Sequence, residues 1–264
     1  MSLYDTMFER LATAGEGALG GFLMLGDPDL KTSARMLDAL VAGGADMVEV
    51  GIPFSDPVAD GPVIQAAAAR ALRAGVRTVD CFELIAGLRD RHPDVPIGIL
   101  TYANLVVARG PEHFLRSAAD AGADSLLVAD LPVREAEAWM PEVRDAGLDP
   151  VLIATSNMRP QTVERLAKLC RGYTYCVTRP GITGTHAEAR FDAALIRRLS
   201  DAGAPPPVFG FGISRPEHVR AALAAGAAGI IAGSALVSAA FERRDVGALV
   251  GSLKAATRND SAPD

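Results

Sequence analysis

A recurring unit constrains the fold of this chain most strongly: an alanine-rich helical stretch ends at a glycine and leads into a short apolar run. The unit occurs as VAGGADMVEVG (41–51), ADAGADSLLVAD (119–130) and LAAGAAGIIAGS (223–234). A glycine just past a helix supplies a left-handed C-cap, and an apolar run of four to six residues is typical of a strand buried on both faces. The unit therefore predicts helices that alternate with parallel strands.

Five further apolar runs complete the pattern: ALGGFLML (18–25), PIGILTY (96–102), DPVLIAT (149–155), GYTYCVT (172–178) and PPVFGFG (206–212). Together they predict eight strands, near positions 22, 49, 99, 127, 152, 175, 209 and 230. Each gap holds a helical pattern, so the connections are right-handed crossovers. Eight such units favour an α/β fold, a (β/α)8 TIM barrel that forms a single domain over 1–264 with an extra N-terminal helix, rather than an open parallel sheet.

Two connections are longer than a helix requires, and they follow strands two and six. They span about 50 and 34 residues, which leaves room for long loops. Both leave the carboxyl ends of their strands, where barrel enzymes place their active sites. We therefore expect function at this end of the barrel.

Composition and charge exclude several classes of protein. The chain has 264 residues, of which 49% are hydrophobic and 22% charged, so it can form a packed core. The net charge of −6 without a basic cluster disfavours nucleic-acid binding. The three cysteines have no paired spacing, and neither a signal peptide nor a membrane span is predicted, so we expect a cytoplasmic protein with reduced thiols.

Glu49 is a carboxylate inside the apolar run MVEVG. Such a group must point into the barrel or towards its mouth, where burial raises its pKa and suits it to proton transfer near neutral pH. The alternative is a structural acid that pairs with a basic residue in the barrel. The loop that follows, IPFSDPVADGP (52–62), holds three prolines and two aspartates and is predicted to present its side chains at fixed places, unless it is an ordinary solvated turn.

Small residues after strands seven and eight predict a phosphate site. FGFGIS (209–214) and IIAGSAL (230–236) occupy the loops with which barrel enzymes commonly bind phosphate, and Ser234 is expected to open the last helix. RPGITG (179–184), after strand six, has the glycines of a mobile lid. We expect no metal, Schiff-base lysine or dinucleotide site, since no ligand spacing, strand lysine or GxGxxG motif is present.

VEVGIPFSDPVADGPVIQ, taken with LGDP (25–28), GFGIS (210–214) and AGSAL (232–236), resembles the α-subunit family of tryptophan synthase. The resemblance runs in the same order from Phe22 to about Val237. It implies a (β/α)8 barrel that cleaves indole-3-glycerol phosphate to indole and glyceraldehyde 3-phosphate. It also implies a β-subunit partner in an αββα heterotetramer, in which only the β subunit carries pyridoxal phosphate.

The resemblance also implies a role for particular residues. The catalytic pair is Glu49 and Asp60. The substrate pocket comprises Phe22, Leu100, Tyr102, Leu127, Ile153 and Tyr175, with Thr183 in the lid. The phosphate group is bound by Gly184, Gly212, Gly233 and Ser234. The partner-facing surface comprises Pro53, Asp56, Pro57 and Asn104.

The chain departs from the family pattern at four positions. Thr155 and Ser156 replace a proline pair, Met24 replaces a threonine, and Pro180 stands where serine is common. Lid closure and communication with the partner are the properties these changes affect. Three other functions stay open: a stand-alone lyase that releases free indole, a barrel that serves only as a regulatory partner, and a sugar-phosphate isomerase with a different acid–base set.

Overall fold

Parallel strands form the centre of the molecule in a computed structural model, which describes residues 1–177, 191–210 and 212–258. The strand segments are β1 (Ala18–Met24), β2 (Met47–Gly51), β3 (Ile97–Thr101), β4 (Ser125–Val128), β5 (Asp149–Pro150), β6 (Leu152–Ala154), β7 (Thr174–Cys176), β8 (Pro207–Gly210) and β9 (Gly229–Ala232). All eight apolar runs of the sequence lie on these segments.

The sheet closes into a barrel. Its order is β5-β4-β3-β2-β1-β9-β8-β7-β6, and every neighbouring pair is parallel. β5 and β6 are halves of one strand separated by Val151, whose N–H donates to the Leu126 carbonyl oxygen at 3.0 Å. β5 pairs with β4 and β6 with β7, so the ring has eight strands. The predicted (β/α)8 barrel is confirmed.

Helices surround the barrel. They are α1 (Leu3–Ala14), α2 (Leu30–Ala42), α3 (Pro62–Arg73), α4 (Thr78–Arg91), α5 (Ala103–Val107), α6 (Pro111–Asp120), α7 (Val133–Asp145), α8 (Pro160–Leu169), α9 (Ala193–Asp201), α10 (Pro216–Ala224), α11 (Ser234–Phe241) and α12 (Val246–Ala255). Within the described ranges, no helix is both long and apolar enough to cross a bilayer.

Two details differ from the sequence prediction. The connections after β2 and β3 each hold two helices, whereas one was expected per gap. α3 packs on β1 and α11, and α4 packs on α2 and α6. The connection after β2 is therefore long because it holds an additional helix, and not only because it holds a long loop. Ser234 opens α11 rather than the last helix, because α12 follows.

The N-terminal helix closes the amino end of the barrel. Tyr4, Met7 and Leu11 are spaced to lie on one face of α1, and all three are buried. Ser2 caps the helix through a capping box with Asp5. The Tyr4 hydroxyl reaches the barrel interior and hydrogen-bonds Ser125 Oγ at 2.8 Å.

Candidate active site

The predicted pocket residues share the interior face of the barrel. Pairing aligns Phe22 with Glu49, Leu100 with Leu127, and Ile153 with Tyr175. Aligned residues of neighbouring parallel strands point to the same side, as do residues two apart on one strand. The strand register therefore brings together side chains that are up to about 150 positions apart in the sequence.

Glu49 is buried in this interior, with 2% of its surface exposed. Its Oε1 accepts a 2.8 Å hydrogen bond from the Tyr173 hydroxyl, while Oε2 is buried without a hydrogen-bond partner among the described residues. Burial raises the pKa of Glu49 to about 7; the Tyr173 bond opposes this rise and the charge of Asp60 adds to it. A carboxyl group in this state can both give and take a proton near neutral pH.

Two tyrosines at the amino end of the barrel support Glu49, and sequence reasoning missed both. The rings of Tyr173 and Tyr4 are 5.3 Å apart. Gly98 provides the space, because a Cβ there would lie 3.0 Å from the Tyr4 hydroxyl and 2.8 Å from Ser125 Oγ. Tyr173 stands two residues before Tyr175 in GYTYCVT, and this period-two spacing was the available signal that it faces the interior.

Asp60 lies on the loop between β2 and α3, and burial raises its pKa to about 6. The Tyr102 hydroxyl opposes that rise by hydrogen-bonding the carboxylate, and it accepts the Ala59 N–H at 3.1 Å. The Tyr102 ring also stacks on Phe54, with 5.2 Å between ring centroids. Tyr102, which directly follows β3, therefore contacts the loop both at Phe54 and at Ala59 and Asp60.

Tyr175 connects the two carboxylates. Burial raises its pKa well above the usual value, and the charges of both Glu49 and Asp60 add to the rise, so the three groups share one site. The ring lies over Gly210, where an added Cβ would be only 1.9 Å from the tyrosine hydroxyl oxygen. Glycine is therefore required at 210 for Tyr175 to occupy this place.

Apolar side chains line the rest of the pocket. Phe22, Leu127 and Tyr175 are buried, while Leu100 and Ile153 are half-buried. Met24, one of the departures from the family pattern, is buried near Phe22. Both side chains occupy the space that a Cβ at Gly51 would enter. The slot is therefore apolar on its walls and acidic at Glu49 and Asp60, which suits a flat aromatic ligand with one polar N–H.

Three of the predicted phosphate residues, Gly212, Gly233 and Ser234, follow the carboxyl ends of β8 and β9. Gly233 caps α11 without a side-chain hydrogen bond, so the first N–H groups of this helix stay available for an anion. A Cβ at Gly233 would approach Phe22 at 3.7 Å, which places this glycine against the pocket. Gly212 has a φ of +77°, a conformation that a side chain would strain.

The predicted partner-facing residues differ in exposure. Asp56 and Asn104 are exposed and Pro57 is half-buried. Pro53 was expected on the partner-facing surface, but it is buried. Val58, at 75% exposed, adds an apolar side chain to the same loop.

The remaining predicted residues and family departures lie after β6 and after β7. Thr183, Gly184 and Pro180 lie outside the described residues. Ser156 is exposed on the loop after β6, and Arg198 of α9 donates to its carbonyl oxygen at 2.9 Å. The Thr155 hydroxyl bonds Asn157 Oδ1 at 2.6 Å. Hydrogen bonds therefore hold this loop, in which the family pattern has prolines.

Across the described ranges, no group of three or more His, Cys, Asp or Glu side chains could hold a metal ion.

Glu49, which is buried, and Asp60, which is half-buried, both have raised pKa values inside and beside a closed parallel barrel, an arrangement typical of acid–base enzymes of the (β/α)8 class. The sequence model of one family, described as tryptophan synthase alpha chain, matches residues 8–258. The chain belongs to the tryptophan synthase alpha chain family, the lyases that cleave indole-3-glycerol phosphate in tryptophan biosynthesis.

Individual relatives agree with this assignment. The tryptophan synthase alpha chain of Photobacterium profundum is 47% identical over 238 residues, covering 90% of this chain and 88% of that protein. The alpha chain of Klebsiella pneumoniae is 45% identical over 267 residues, covering 98% and 99%. A solved structure of Mycobacterium tuberculosis tryptophan synthase has a TM-score of 0.89 at 32% identity, covering 98% of this chain and 99% of that chain.

Proposed function

We propose that Glu49 moves the protons of the lyase reaction. The observation that carries this proposal is the Glu49 carboxyl group itself, which has a pKa near 7 and one oxygen without a partner among the described residues, inside an apolar slot. A regulatory barrel without turnover has no use for such a group, because burying an unpaired carboxylate costs stability.

The chemistry balances around one carboxyl group. Cleavage of the bond between the indole ring and the glycerol chain requires a proton on ring carbon C3 and the loss of a proton from the adjacent glycerol hydroxyl. Protonated Glu49 supplies the first, and the resulting carboxylate takes up the second, so the enzyme returns to its starting state. The electron pair of the broken bond restores the aromatic ring, and the hydroxyl carbon leaves as the aldehyde.

Asp60 is the group we assign to the indole N–H. Protonation at C3 places positive charge on the ring nitrogen, and a carboxylate that accepts the N–H bond stabilises this charge. The Tyr102 hydrogen bond favours the ionised form that the role requires. Phe22, Leu100, Leu127 and Ile153 provide the flat apolar walls, with Tyr175 beside both carboxylates.

Phosphate recognition is assigned mainly to backbone N–H groups at Gly212, Gly233 and Ser234. Ser234→Ala should raise KM for the substrate only about two- to threefold, because it removes one hydroxyl and leaves the amides. Gly233→Val should raise KM about tenfold or more, since its side chain enters the pocket beside Phe22. KM and inhibition by glycerol 3-phosphate are measured for both variants, with Ser238→Ala, one turn further along α11, as the control. Equal damage from the serine and glycine variants would instead assign binding to the side chain.

We also propose that a β subunit docks on the loop that carries Asp60, forming an αββα assembly in the cytoplasm. Asp56, Pro57 and Asn104 form the docking face, and the pyridoxal phosphate belongs to the partner. Two features of the loop support this: the exposed apolar side chain of Val58 and the direct chain connection to Asp60. A protein bound there can favour the placement of Asp60 that the reaction needs.

The functional proposal is tested by indole release from indole-3-glycerol phosphate, with and without a β subunit. We expect slow release by the chain alone and an increase of about tenfold or more on saturation with the partner, within the range of ordinary coupling energies. Val58→Asp should abolish the increase but not the rate of the chain alone. Ala12→Asp, on α1 at the opposite end of the barrel, is the control. A fast rate that does not change when the partner is added would favour the stand-alone lyase. The absence of indole under both conditions would overturn the lyase assignment.

A further inference from the structure

A partly buried ion pair, between residues that are not among the predicted pocket residues, joins the loop after β1 to α3. Asp27, on the loop between β1 and α2, is only 8% exposed. Arg70 of α3 donates to both of its carboxylate oxygens, from Nε to Oδ1 at 2.7 Å and from Nη2 to Oδ2 at 2.6 Å. Such a two-bond pairing fixes orientation as well as distance, because the guanidinium and carboxylate planes must match.

A third element contacts the same guanidinium group. The ring of Phe241, at the end of α11, lies with its centroid 4.1 Å from Arg70 Cζ. Cation–π contact at this distance is attractive, and the half-exposed ring covers the ion pair on that side. Arg70 therefore ties α3 to both the β1 loop and α11.

The elements that Arg70 joins begin at the active site. α3 starts two residues after Asp60, and Gln65 of its first turn donates from Nε2 to the Asp60 carbonyl oxygen at 2.8 Å. α11 starts directly after Gly233, at the proposed phosphate site. A helix is a rigid rod, so a contact that fixes α3 near its end also restricts where its start can lie.

The chemistry of the pair points to geometry rather than to stability. Isolated buried ion pairs contribute little compared with apolar pairs of similar volume, because both charges lose their hydration. Directional pairs of this kind are more useful for fixing one arrangement among several. The other basic residue in the last turn of α3, Arg73, is exposed and therefore provides a cation at the same helix end without this pairing.

We propose that Arg70 is a positioning residue for the lyase reaction: paired with Asp27 and covered by Phe241, it holds α3 so that Asp60 keeps its place relative to the phosphate end of α11. This inference rests on the proposed role of Asp60. It adds a connection between the two ends of the substrate site that runs outside the pocket. In this proposal Arg70 acts through α3 and not by contact with the substrate.

The test compares Arg70→Met, the double variant Asp27→Asn with Arg70→Met, and Arg73→Met as a control on the same helix. In Arg70→Met we expect kcat to fall about ten- to a hundredfold, as small misplacements of catalytic groups can cause. The single variant also leaves the Asp27 charge unpaired and should lower Tm. The double variant removes that charge and should regain most of the Tm while kcat stays low. Recovery of both in the double variant, or a loss of Tm without a loss of kcat in the single one, would show a structural role only.

The pH profile of kcat/KM separates this proposal from the role of Asp60. Among the described residues, Glu49, Tyr102 and Tyr175 are the titratable groups that interact with Asp60. If α3 moves, Asp60 becomes more solvated, and the acidic limb in Arg70→Met should shift to lower pH; Arg73→Met should not shift it. If Asp60→Asn removes the acidic limb but Arg70→Met does not shift it, the role of Arg70 is refuted and the role of Asp60 is not. A limb that survives Asp60→Asn would refute the role of Asp60.

Discussion

Glu49→Gln should lower the rate of indole formation by more than about 100-fold, because one group that transfers protons in both directions contributes at least as much as a single acid–base role. Glutamine keeps the size of the side chain and can still bond Tyr173, but it cannot exchange a proton at this pH. The rate is measured with saturating β subunit, so that a partner effect does not mask the loss. Activity within tenfold of the parent would remove Glu49 from the mechanism.

The same variant should be more stable than the parent at high pH. Burial raises the pKa of Glu49 to about 7, from an ordinary value of 4.5. The folded state therefore favours the protonated group; the stability this provides is complete below about pH 4.5 and is lost as pH rises through 7. Because glutamine has no charge to bury, the stability difference between variant and parent should grow by roughly 3 kcal/mol between pH 4.5 and 8.

Urea unfolding at several pH values measures this difference. Glu83 is exposed on α4, and Glu83→Gln is the matched carboxylate-to-amide control. The difference in stability between this variant and the parent should change little with pH. A flat difference for Glu49→Gln as well would mean that Glu49 titrates as an ordinary exposed carboxylate, against its burial.

Asp60→Asn should lower kcat/KM by roughly 100-fold, the loss typical of one preorganised group that stabilises charge in the transition state. Its pKa is raised to about 6, so the parent should lose activity as pH falls through this value and the acceptor for the indole N–H becomes protonated. The asparagine variant should lack this acidic limb.

Asp56→Asn is the matched control, since Asp56 lies four residues earlier on the same loop and is exposed. It should keep both the rate of the chain alone and the acidic limb near pH 6. If the two variants behave alike, the effect belongs to the charge of the loop rather than to the place of Asp60.

The sequence predicts the barrel well because each strand is marked locally. A glycine cap followed by an apolar run, as at Gly44 and Met47, is a signal that needs no knowledge of distant residues. α3 is different: PVIQAAAARALR is helical in pattern, but its position beside the mouth depends on contacts with β1 and α11. The position of α3, the first helix of that connection, therefore could not be predicted from its own residues.

The site was predictable where a residue contradicts its surroundings. Glu49 stands out as a charge in an apolar run, and the prediction of its burial is confirmed. Its bond to Tyr173 spans 124 positions and depends on closure of the barrel, so no local pattern reveals it. The pairing of Asp27 with Arg70 is equally non-local, at 43 positions, and neither residue is unusual in its own segment.

The central claim is that Glu49 is a buried carboxyl group that changes protonation near neutral pH. Infrared difference spectra of the parent and Glu49→Gln, recorded between pH 4 and 9, measure this directly through the C=O stretch of the protonated acid. The account predicts a carboxyl band that is present in the parent only and disappears with a midpoint near pH 7. A band that disappears near the ordinary value of 4.5 would contradict it.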